Sequence, residues 1–132
     1  DAAFMERLRA SVQRQGQASI GPHYSGFKDF LEADWNFHRL IAEQCGNPFL
    51  LKTFESFNGY MQRFRQFNGH VVTDARESSH EHQHILQAFE SGRPEQAAAA
   101  MREHLEKLLE RITVQPDTGH KDAPRRGSRH GN

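Results

Sequence analysis

The sequence predicts an all-α protein, an antiparallel helical bundle of about five helices followed by a disordered C-terminal tail. Apolar residues recur at three- and four-residue spacing through most of the chain, which is the period of one helix face rather than the alternation of a strand. Gly and Pro fall together at the breaks, as Gly46-Asn47-Pro48 and Gly92-Arg93-Pro94; the glycine suits the left-handed position after a helix, and the proline fits the first turn of the next. No internal repeat or persuasive strand pattern interrupts this punctuation.

Phe4, Met5, Leu8 and Val12 mark a first helix from about Ala2 to Gln15 that stops before Gly16, and a polar loop runs on to Gly26. The second helix begins at Phe27 and carries Phe27, Phe30, Leu31, Phe37, Ile41, Ala42 and Cys45 on its apolar face. Asn47 is placed to cap the third, which spans about Pro48 to Asn68 and has Leu50, Phe54, Phe57, Met61 and Phe64 in a 4-3-4-3 stripe. Such a stripe is the seam of a packed helix, so this helix is expected at the centre. Asp74 and Glu77 form a capping box for a fourth helix running to Ser91, with Ile85, Leu86 and Phe89 inside. The fifth, Pro94 to about Val114, holds Ala97, Ala100, Met101, Leu105, Leu108 and Ile112. Residues 115–132 keep Pro, Gly and charge but almost no apolar side chains, so they read as a disordered tail behind one domain over 1–114.

Composition narrows the function classes. A chain of 132 residues builds one core. Lys and Arg total 17, as do Asp and Glu, so no global basic field exists to hold nucleic acid. The apolar share of 36% is low, but ten Phe concentrate it in large side chains. No apolar run approaches the roughly 20 residues of a membrane span, and no signal peptide opens the chain, so a cytoplasmic protein without a membrane partner is expected. The single Cys45 excludes a disulfide framework and a multi-cysteine zinc knuckle. The start at Asp1, directly in helical pattern, suggests an N-terminally truncated product.

Nine His are the outlier, and the helical wheel separates them. His38 lies three before Ile41 and seven after Leu31, and Asp34 stands one turn earlier on the same face. His82 lies three before Ile85 and seven before Phe89, while His104 lies three after Met101 and four before Leu108. All four point inward. His80 and His84 are turned about 200° from His82 and belong to a solvated face. His23, His70, His120 and His130 fall in loops or tail and receive no role. One inward His is ordinarily a packing residue with a hydrogen bond. Three with an inward Asp are four desolvated polar groups with too few partners, which is expensive unless a cation is shared. Asp34, His38, His82 and His104 are therefore the candidate ligands of a divalent metal, zinc first, with nickel, manganese and iron admitted by the same donors. Four protein ligands on an octahedral ion leave two positions for water or an anionic oxygen. Arg65 sits at the rim of the third helix's apolar stripe, where its guanidinium suits a carboxylate effector; the competing role is a surface salt bridge.

Four segments in register carry a resemblance: Asp34-Trp35-Asn36-Phe37-His38, Cys45-Gly46-Asn47-Pro48, Glu81-His82-Gln83-His84-Ile85-Leu86-Gln87-Ala88 and Ala100-Met101-Arg102-Glu103-His104-Leu105. From about Phe4 to Ile112 the chain resembles the FCD-type effector domain of GntR-family bacterial transcription regulators, the FadR-like branch. The resemblance implies a metal at Asp34, His38, His82 and His104, the residues that face geometry selects. It also implies a small organic acid or sugar acid as effector, and a preceding winged helix-turn-helix domain, absent from this chain, that binds operator DNA as a homodimer. Arg93 departs from the pattern, since members often place Asp after the glycine.

The resulting expectation is a ligand-sensing domain rather than an enzyme. The alternative is a metal-dependent, hydrolase-like enzyme on a helical bundle. Glu81 and Glu103 each adjoin a ligand His, but neighbours on a helix diverge by about 100°, so neither shares that face and no general base is evident.

Overall fold

A computed structural model describes residues 1–18, 26–67 and 71–113, without the side chains of residues 62, 64–67, 71–74 and 112. The described residues form five helices and no strands: α1 (Ala2–Gln17), α2 (Phe27–Gln44), α3 (Pro48–Phe67), α4 (Val71–Glu90) and α5 (Pro94–Thr113). None is long and apolar enough to cross a membrane. The expected tail at 115–132 lies outside the described residues.

The two Gly-Pro breaks work as their chemistry requires. Gly46 and Gly92 both take the left-handed conformation at φ 65°, which costs a residue with a Cβ about 1–2 kcal/mol. The Asn47 side chain accepts from Phe49 N at 3.0 Å and Leu50 N at 3.2 Å, meeting two amides that have no partner within α3. Two boundaries differ from expectation. α1 continues through Gly16 to Gln17, because a glycine weakens a helix by only about 1 kcal/mol and Ala18 N still closes on Arg14 O and Gln15 O. α4 begins at Val71, so Asp74 is inside its first turn rather than capping it; an acidic residue is favoured there by the helix dipole as well, so the signal does not fix the start.

Helix α1 occupies the middle. Arg7 meets Glu43 and Arg14 meets Glu32, so α1 runs antiparallel to α2. Phe4 packs edge-on against Phe89 and Gln15 reaches His82, so α1 is antiparallel to α4 as well. The core is Phe4, Leu8 and Val12 of α1, Phe37 and Leu40 of α2, and Ile85 of α4, with Met101 of α5 against it. α5 returns along α4 through the tight turn at Gly92, and α3 along α2 through Gly46.

The expectation that α3 is central is overturned. It packs mainly on α2; Leu50, Phe57 and Met61 of the expected seam are exposed, whereas half-buried Leu51, Phe54 and Asn58 recur at helical spacing. Periodicity determines which residues share a face, but not whether another element covers it. For the same reason Leu105 and Cys45, both placed inside by spacing, are exposed.

Candidate metal centre

Three helices bring imidazoles to one point. His38 projects from α2, His82 from α4 and His104 from α5, and one potential ligand atom from each lies within 4.8 Å of the others. His82 and His104 are 0% and 1% exposed, and His38 is half-buried. Buried Phe37 stacks on the His82 ring at 4.1 Å between centroids and restrains its plane. His80 and His84 are exposed, their rings 4.6 Å apart on the outer side of α4, as the wheel requires.

The nitrogens of the buried pair are differentiated by their partners. His104 Nδ1 donates to Glu81 Oε2 at 2.7 Å, because a carboxylate only accepts. His82 Nδ1 lies 2.6 Å from Gln15 Oε1. The Gln15 amide is oriented by its other end, where Nε2 donates to the Ala33 carbonyl at 3.3 Å, so Oε1 accepts and His82 Nδ1 is the donor. A neutral imidazole has one N–H. In their neutral forms both Nε2 atoms then carry lone pairs, and the two atoms face each other at 3.1 Å. Two acceptors at that separation repel unless a cation lies between them.

The buried pair has the spacing of two ligands on one divalent metal. With metal–nitrogen bonds of about 2.0–2.1 Å, two imidazoles on one ion sit about 2.9 Å apart at a right angle and about 3.4 Å apart at the tetrahedral angle; the 3.1 Å separation falls between them. A buried carboxylate or backbone carbonyl behind each ligand imidazole is also the arrangement that orients such ligands, and Glu81 supplies it for His104.

Asp34 is buried beside the cluster, but the three-imidazole group forms without it. Its Oδ1 lies 4.0 Å from His82 Nδ1, the nitrogen on the Gln15 side of the ring. The side chain of Arg65 lies outside the described residues.

Glu81, Gln15 and Arg111 were not selected from the sequence. Glu81 does diverge from His82, but the divergence aims it at His104 across the α4–α5 contact. Burial would raise its pKa; hydrogen bonds from Arg111 and His104 and the Arg111 positive charge outweigh that and hold the carboxyl below its ordinary range. Arg111 forms a two-pronged pair with it, at 2.9 and 3.1 Å. Two of the three had a readable signal: Gln15 stands seven residues after Leu8, and Arg111 seven after His104, each a polar residue on an inward line.

The FCD domain matches residues 1–107. The chain belongs to the FCD domain family. FCD domains are the effector-binding domains of GntR-family regulators, typical of transcription regulators rather than enzymes. No curated protein and no solved structure matches the chain. In this FCD domain the buried His38, His82 and His104 cluster is consistent with a metal site.

Proposed function

We propose that this FCD domain is a metal-dependent sensor of a small organic acid or sugar acid, and that occupancy of its site changes operator binding by the DNA-binding domain of a GntR-family regulator. The observation that carries this reading is the meeting of His82 Nε2 and His104 Nε2 at 3.1 Å with His38 beside them. His38, His82 and His104 would hold the ion, with Asp34 as the fourth ligand, and zinc heads the candidates for an N,O donor set without thiolate. A bound divalent ion supplies a Lewis-acidic anchor for an anionic oxygen. Arg65 is assigned to the effector's carboxylate. Regulation needs only that the effector bind one packing of the helices better than another.

Turnover is disfavoured by the placement of the nearest carboxylate. Glu81 already accepts from His104 and is gripped by Arg111, so it is not available as a general base.

The test combines metal analysis of tag-free protein with thermal shifts on a panel of small carboxylates, with and without chelator. The expected result is about one equivalent of divalent metal, and a carboxylate that raises the melting temperature only in the metal-loaded protein and is recovered unchanged. A shift that survives chelation overturns the metal's role, and consumption of the carboxylate overturns sensing.

A further inference from the structure

Gln15 is 2% exposed in the last turn of α1, an unusual burial for a glutamine. Both ends of its amide are engaged: Nε2 donates to Ala33 O, and Oε1 accepts from His82 Nδ1. Ser11, one turn earlier, donates to the same carbonyl at 2.7 Å, so α1 is fixed in register against α2 where Gln15 reaches the site. Behind His104, Glu81 plays the corresponding part from α4, held by Arg111, whose guanidinium also reaches Ser78 Oγ at 3.3 Å and Glu77 Oε2 at 3.5 Å.

We propose that Gln15 and the Glu81–Arg111 pair are positioning residues that fix His82 and His104 as Nδ1–H tautomers, so that both Nε2 lone pairs are presented to one cation. The inference rests on the metal reading and assigns the residues that make that site competent. Without the acceptor behind it, His82 is free to move its proton to Nε2. At 3.1 Å the two rings then satisfy each other through an N–H···N hydrogen bond, and a metal must displace that bond and reverse the tautomer before it binds. Gln15 and Glu81 remove this competing state. Their action is electrostatic and directional, and a side chain of equal volume without an acceptor does not replace it.

The experiment uses the full 132-residue chain and zinc alone as probe. Long-range ¹H–¹⁵N spectra of the metal-free protein read the tautomers, and zinc affinity is measured against a chromophoric chelator. Wild type is expected to show Nδ1–H at both His82 and His104. Gln15→Met keeps the volume and removes the acceptor; it is expected to move the His82 proton to Nε2 and weaken zinc binding about 10- to 100-fold. Glu81→Met is expected to do the same at His104. Arg111→Met, which leaves the carboxylate in place, is expected to weaken zinc binding less than Glu81→Met. Circular dichroism confirms that each variant is folded, and the wild-type spectrum decides the tautomers without any variant. Failure of the wild-type chain to bind zinc overturns the metal reading. Zinc binding by wild type with an Nε2–H tautomer at His82 in the metal-free chain, or with an unchanged affinity in folded Gln15→Met, overturns the positioning role alone.

Discussion

Replacing His82 and replacing His80 by alanine should have opposite consequences, although the two residues are separated by only one position. His82 is fully buried, hydrogen-bonded to Gln15 and stacked on Phe37, whereas His80 is exposed. Zinc supplied at 100 times its dissociation constant stabilises the native state by about 2.7 kcal/mol. For a domain of this size that corresponds to a rise in melting temperature of about 10 °C. His80→Ala should keep the whole shift and change the metal-free protein by no more than about 0.5 kcal/mol. His82→Ala should lose the shift. It should also destabilise the metal-free protein by about 2–5 kcal/mol through the cavity, with a further cost of about 1–3 kcal/mol for leaving Gln15 Oε1 unpaired in the interior. That loss approaches the total stability of a small domain, so His38→Ala, at the half-buried edge of the cluster, should be measured beside it. The assay is differential scanning fluorimetry across a zinc titration, with chelator as the control. If His80→Ala abolishes the zinc shift while His82→Ala or His38→Ala retains it, the face assignment and the site built on it are wrong.

Three further outcomes follow from the fold. Arg93 precedes α5 with no side-chain oxygen to accept from the first amides, so Arg93→Asp should raise stability by about 1 kcal/mol in urea unfolding; a neutral or negative effect would contradict that account of the helix start. Phe37→Ala in the core should cost about 3–5 kcal/mol, whereas Phe57→Ser on the exposed side of α3 should cost no more than about 0.5 kcal/mol; equal losses in thermal melts would restore α3 to the centre. Gly46→Ala should cost about 1–2 kcal/mol through φ alone, because open space surrounds the new Cβ, and a stabilising effect in the same melts would show that the turn can relax.

Local chemistry made much of this protein legible from its sequence. The turns at Gly46 and Gly92 could be read because a left-handed residue followed by proline leaves the chain few alternatives, and the inward directions of Asp34, His82 and His104 could be read because helical phase is fixed by spacing alone. The FCD resemblance followed from those segments taken in order. Tertiary structure decided which faces were covered and which polar groups met. The stripe through Leu50, Phe57 and Met61 has the periodicity of a buried seam, yet among the described residues α3 packs mainly on α2, and phase carries no information about neighbours. Glu81 was set aside because adjacent residues on one helix cannot share a face. That rule is silent about a face offered by another helix, and it is α5 that brings His104 to within 2.7 Å of the Glu81 carboxylate. The tautomers of the two buried imidazoles depend in the same way on acceptors delivered by α1 and α4, and an interaction between groups on separate helices exists only once those helices are packed.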